Sequence, residues 1–123
     1  MEMTSAVASL SALAHGGRLS AFRMLVQAGA AGLPAGEIAR CLKMLPNSLS
    51  SHLAILDKAG LIHARREGRS IIYTADYGAM QELLGFLLED CCGGAPEICA
   101  PLGEIFARAV ACHGTCLPEL ETA

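Results

Sequence analysis

Apolar residues recur at helical spacing through most of the chain, and the interruptions divide it. Residues 5–14 and 17–28 read as two helices. The second carries Leu19, Phe22, Leu25 and Val26 on one face, and Gly29 follows as a C-cap. "GLP" then starts a short helix, with Pro34 near its first turn and Glu37 beside the positive end of the helix dipole. Its apolar residues are Ile38, Ala39 and Leu42, and "KML" makes a tight connection. Pro46 opens a further helix that runs to Ala59 and stops at Gly60.

In that helix Leu49, Leu53 and Leu56 form one inward stripe. At about 100° per residue, Asn47, Ser51, Ala54 and Lys58 point the other way, with Ser48 and Ser50 flanking them. His52 lies about 60° from the leucine stripe. It is either a packing histidine at the edge of the core or a contact to phosphate or base. Residues 61–75, "LIHARREGRSIIYTA", read as a β-hairpin. Ile62, Ala64 and Arg66 alternate with His63 and Arg65 on the way in, Ile71, Ile72, Tyr73 and Thr74 have high strand propensity on the way out, and "EGR" supplies a glycine-containing turn. The tip carries Arg65, Arg66 and Arg69. A last helix over 76–92 places Met80, Leu83, Leu84, Leu87, Leu88 and Cys91 along one stripe.

A short helix, a tight turn and a second helix make a helix-turn-helix, and the basic hairpin directly after it makes the unit a winged helix. The fold class is mainly α with a β-hairpin wing, in the order α-α-α-α-β-β-α. A small, hydrogen-bonding outer face suits a helix laid into a major groove. Asn47, Ser48, Ser50, Ser51, His52 and Lys58 are the candidate groove residues, and Arg65, Arg66 and Arg69 the candidate wing contacts. Taken alone, a serine-rich helix face or a charged hairpin is a solvated surface; in succession they point to double-stranded DNA.

Charge sharpens this picture. The net charge of −3 argues against a polyanion-binding chain, but residues 1–75 hold eight Lys/Arg against four acids, and residues 76–123 hold one against eight. The first part can meet phosphate and the second would be repelled by it. With 123 residues the chain is one domain, divided into a winged-helix and dimerisation region, 1–92, and a cysteine-containing extension, 93–123. Its apolar fraction of 53% exceeds what one small core can hide, so a homodimer is expected, built from helix 5–14 and helix 76–92. No basic leader precedes an apolar core, and the run Leu83 to Leu88 is too short to span a bilayer. The expected location is cytoplasmic, with no membrane partner.

The segment "NSLSSHLAILDKAGLIHARREGRSIIYTA" resembles the ArsR/SmtB family of small winged-helix repressors. The likeness rests on Ser50, His52, Leu53 and Leu56, then Ala59-Gly60-Leu61, then Arg66-Glu67-Gly68-Arg69 with Tyr73. It extends from about residue 8 to residue 90. The resemblance implies a dimeric repressor that leaves its operator when an inducer, often a metal or metalloid ion, binds. Well-known arsenite sensors of the family carry Cys-Val-Cys in the helix before the recognition helix. Here "GEIARCLKML" offers only Cys41, which by itself reads as a small buried hydrophobe.

The remaining cysteines lie toward the C-terminus. Cys91 and Cys92 are adjacent, Gly93 and Gly94 break the chain, and Cys99 returns toward the helix end. Some family members with displaced sites are similar, using an adjacent pair and a third thiol for trivalent arsenic. Thiolates select soft ions, and arsenite is satisfied by three sulfurs, whereas structural zinc takes four ligands in a tetrahedron. Cys91, Cys92 and Cys99 are therefore the candidate ligands, for arsenite or methylarsenite, with antimonite as a further inducer. Cys112 and Cys116, around His113, offer a further site, an alternative third ligand, or incidental thiols. A zinc-, cadmium- or thiol-oxidation-responsive repressor of the same fold is the alternative. A thiol reductase is the weakest reading, since no Cys-x-x-Cys and no nucleophile–base pair is present.

Overall fold

The computed structural model describes residues 1–89, 100–105 and 107. Through residue 89, helices and a three-stranded sheet follow in the order α1 (Met3–Leu13), α2 (Gly16–Ala28), a 3-10 turn (Gly29–Ala31), β1 (Leu33–Pro34), α3 (Ala35–Leu42), α4 (Pro46–Lys58), β2 (Ile62–Glu67), β3 (Ser70–Ala75) and α5 (Tyr77–Leu88). Residues 100–105 are also helical. The architecture is a winged helix-turn-helix.

The core is built mainly from α2, α3 and α4, closed by the start of the wing. Met24, Leu25, Ile38, Leu49, Leu53, Leu56, Leu61 and Ile62 are the largest side chains wholly removed from water. The three leucines of α4 come from the stripe that the sequence predicts, and their burial sets the rotation of that helix. Truncating any one of them to alanine leaves a cavity and costs about 2–5 kcal/mol.

Two local features depart from the sequence reading. "GLP" does not start a helix: Leu33 and Pro34 form a short strand that pairs antiparallel with Tyr73 and Ile72 of β3, giving the sheet order β1-β3-β2. Pro34 is the residue before α3, with ψ 151°, so the helix begins at Ala35. The reason lies in Gly32, which has φ 69° and would place a Cβ 2.4 Å from the Tyr73 carbonyl oxygen. Only glycine lets the chain run so close to β3. The second departure is the end of α5. The expected helix runs to residue 92, whereas the helix stops at Leu88 and Glu89 adopts φ −56°, ψ 124°. Asp90 and the candidate ligands Cys91, Cys92, Cys99, Cys112 and Cys116 lie outside the described residues.

Candidate nucleic-acid interface

The turn between α3 and α4 is made by Lys43 in the left-handed conformation, φ 53°. It is closed by hydrogen bonds from Lys43 N to Arg40 O at 3.3 Å and from Met44 N to Ala39 O at 3.0 Å. This C-cap aims α4 outward. Pro46 occupies the first turn of α4 and no side chain caps that end. The amides of Asn47 and Ser48 thus project from an open helix N-terminus, an arrangement suited to phosphate.

Along α4, Asn47, Ser48, Ser50, Ser51, Ala54 and Lys58 are all exposed. Ser51 Oγ donates to the Asn47 carbonyl at 3.3 Å. Its hydrogen is thereby engaged, and its lone pairs are left to accept from a base amino group. His52 belongs elsewhere. Its ring lies 4.5 Å from that of His15, centroid to centroid, and its Nδ1 is buried without a partner among the described residues. Of the two roles the sequence leaves open, the ring position is that of a packing histidine between α4 and the start of α2. Its pKa is lowered, first by loss of water around the ring and then by the positive charge of His15 and Arg18.

The wing is a two-residue hairpin. Glu67 pairs with Ser70, and Gly68 takes φ 62° in the turn, a conformation that favours glycine. The three wing arginines are not equivalent. Arg65 is anchored: its Nη1 and Nη2 donate to the Ala30 and Ala31 carbonyls at 3.1 and 2.8 Å, and its Nε to Glu67 Oε2 at 2.7 Å. Arg66 and Arg69 are exposed and make no ion pair among the described residues. Arg65 therefore ties β2 to the 3-10 turn, while Arg66 and Arg69 are the cations available to an anionic partner. Nothing in the sequence separates them; the difference comes from a contact some 35 residues away in the chain.

Lys43 and Arg40 are two further exposed bases beside the open end of α4. Arg40 forms an ion pair with Glu37 at 2.6 Å, which holds the Glu37 carboxyl below its usual pKa. Their place became visible only once the turn geometry showed which side of α3 faces the N-terminus of α4.

Comparison with known proteins agrees with this geometry. The helix-turn-helix domain family matches residues 13–65. The chain is 37% identical over 89 residues to the transcriptional activator HlyU of Vibrio cholerae, covering 68% of this chain and 80% of that protein. It is 32% identical over 87 residues to the transcriptional regulator YgaV of Escherichia coli, covering 71% and 86%. The solved HlyU structure superposes with a TM-score of 0.58 at 36% identity, over 71% of this chain and 97% of that one. At 24% identity, a homodimeric winged helix-turn-helix domain from Mycobacterium bovis shares the fold, with a TM-score of 0.59 over 72% and 82%. With an exposed reading helix, a basic wing beside it and relatives of this kind, the chain belongs to the ArsR/HlyU family of DNA-binding winged helix-turn-helix transcriptional regulators.

Proposed function

We propose that this regulator is a repressor that binds operator DNA as a symmetric dimer and is released when trivalent arsenic, or antimony, is captured by the thiolates of Cys91, Cys92 and Cys99. The observation that carries the reading is the succession of an unpartnered apolar face and these cysteines. Met3, Val7 and Leu10 of α1 are 66, 56 and 41% exposed, and Leu84 and Leu87 of α5 are 39 and 50% exposed. Such a face asks for a partner, and a second copy covers it by symmetry. The Mycobacterium bovis neighbour is described as a homodimer. The first cysteine pair follows a few residues after α5 ends at Leu88.

In this dimer Asn47, Ser48, Ser51 and Lys58 of each protomer enter a major groove, while Arg66 and Arg69 reach the flanking backbone. The half-sites are about one DNA turn apart, so both heads bind only when the dimer holds them at the right angle. Among the described residues no group of three or more His, Cys, Asp or Glu is placed to hold a metal ion. The inducer ligands are assigned to the C-terminal thiols because their softness suits a pyramidal three-sulfur complex. Bringing three sulfurs around one ion reshapes the chain directly after α5 and so changes how the two α5 helices meet. A differential of about 2–3 kcal/mol between the two dimer geometries lowers DNA affinity by roughly 30- to 150-fold.

A second reading replaces the ion by oxidation of the same thiols. It is favoured by a relative at 33% identity, solved as reduced HlyU. One experiment separates the two: release of a fluorescent operator fragment, titrated separately with arsenite, methylarsenite, antimonite, cadmium, zinc and hydrogen peroxide. Arsenite is expected to release the native protein and not the Cys91→Ser, Cys92→Ser double variant, which still binds DNA. Cys99→Ser is expected to lose the arsenite response and keep that to methylarsenite, which needs two sulfurs. Release of the double variant by arsenite would move the site elsewhere, with Cys112 and Cys116 examined first.

A further inference from the structure

The first turn of α4 is closed by Leu45, the residue before the helix, whose carbonyl accepts from the Leu49 amide at 3.0 Å. This position favours Ser, Thr, Asp or Asn, whose side chains bond the free amides. Leucine offers no such bond, and no side chain caps this end. Leu45 adds nothing to the core either. It is 74% exposed, more than any other large apolar side chain among the described residues. Its backbone is nevertheless pinned. Lys43 makes the left-handed turn before it, and Pro46 behind it favours the extended conformation that it adopts, φ −65°, ψ 141°. Exposed Pro46, Asn47 and Ser48 follow directly, and Lys43 lines the same surface groove.

We infer that Leu45 is a specificity-determining residue that packs on the C5-methyl group of one thymine in each half-site. This rests on α4 being the helix that enters the groove. The N-terminal residues of such a helix are the ones that meet base edges, and Leu45 stands at that end, away from the α1 and α5 faces given to the second copy. A lone exposed leucine on an ordinary surface needs no explanation. This one occupies a place where stability favours a capping side chain, at the tip of the reading helix. In the major groove the apolar group on a base edge is the thymine methyl. Asn47, Ser48 and Ser51 sort donors from acceptors, whereas a leucine sorts a methyl from a hydrogen, by removing the methyl from water. Each methyl so buried is worth about fourfold in affinity.

Selection by the full-length protein from a pool of random-sequence duplexes gives its half-site. Uracil, which lacks only the methyl, then replaces each thymine in turn, and affinity is read by fluorescence anisotropy. One thymine per half-site is expected to lose about fourfold on replacement. Leu45→Ala is expected to bind the thymine and uracil duplexes alike at that position, with the native affinity for the uracil duplex, and to keep the native response at the other positions. Leu45→Met, of similar volume, keeps the discrimination. Both substitutions fall on an exposed side chain, so melting temperatures are expected to stay native. A half-site without thymine, a flat uracil scan, or a uracil penalty that persists in Leu45→Ala overturns the assignment of Leu45 alone. Failure to enrich any duplex sequence overturns the placing of α4 in the groove, and the assignment with it.

Discussion

Arg65 and His52 show how neighbours decide what a side chain of functional type is engaged in. Arg65 holds two backbone carbonyls of the 3-10 turn and Glu67. Arg65→Ala is expected to cost about 1 kcal/mol of stability, the worth of ordinary hydrogen bonds partly open to water. Arg66→Ala and Arg69→Ala are expected to leave stability unchanged, weaken binding to all DNA sequences alike, and each reduce the salt slope of affinity by about 1. Urea unfolding beside anisotropy at several salt concentrations separates the two classes; normal DNA binding by the Arg66→Ala, Arg69→Ala double variant would exclude the wing as a contact. His52 carries a pH dependence. Its native pKa is below that of the unfolded chain because the ring loses water and faces His15 and Arg18. The unfolded state thus takes up the proton first, and stability falls with pH. The His52 contribution is full above the ordinary histidine value and is lost as pH falls through the lowered native one. His52→Gln is expected to flatten the stability profile there, measured by urea unfolding between about pH 5 and 7.5.

The joint between the wing and α5 depends on one carboxylate. Asp76 Oδ1 accepts from the Ala79 amide at 2.8 Å, capping α5, and Oδ2 lies 2.6 Å from His63 Nε2. Asp76 N donates to the Leu61 carbonyl at 2.8 Å, and Tyr77 Oη donates to the Val26 carbonyl at 2.8 Å. These bonds fix where α5 leaves the DNA-binding body. The Ala79 amide, followed by His63, holds the Asp76 pKa below its usual value against the opposing effect of burial. This stabilisation is complete above the ordinary carboxylate pKa and is lost as pH falls through the native one. Asp76→Ala is expected to cost about 1 kcal/mol at neutral pH, as for other N-caps. Asp76→Asn keeps a capping oxygen and loses the acid-side slope. Thermal melts of both variants at pH 7 and in acid check this; equal slopes in Asp76→Asn and the native protein would assign the slope to another group.

In the proposed dimer the apolar faces of α1 and α5 are the parts that meet the second copy. Leu83 is buried within its own chain and Met80 packs on the core, whereas Leu84 and Leu87 stay exposed. The stripe expected to build the dimer is thus shared between the protomer's own core and the outside. Val7→Lys and Leu87→Lys change exposed positions, so the fold is expected to survive with melting temperature little altered. Each is expected to give a monomer in sedimentation at micromolar concentration and to lose tight operator binding, because one head alone makes half the contacts. A native dimer in both variants would place the interface elsewhere. No helix among the described residues is long and apolar enough to cross a membrane.

Helices α1 to α5, the hairpin and the fold class were legible in the chain, while the strand at Leu33–Pro34 was not. They follow from short-range physics: periodic leucines, glycine and proline stops, and a glycine turn between residues of high strand propensity. The outer face of α4 was legible for the same reason, since burying Leu49, Leu53 and Leu56 turns Asn47, Ser51 and Lys58 to water. Contacts between distant segments were not. Periodicity assigns a residue to a face and not to a neighbour, so only the packed chain separates the anchored Arg65 from Arg66 and Arg69, which make no ion pair among the described residues. It also pairs His52 with His15 and turns Leu33 and Pro34 into a strand against β3. Each depends on where a second piece of backbone arrives, and that position is set by the packing of the core.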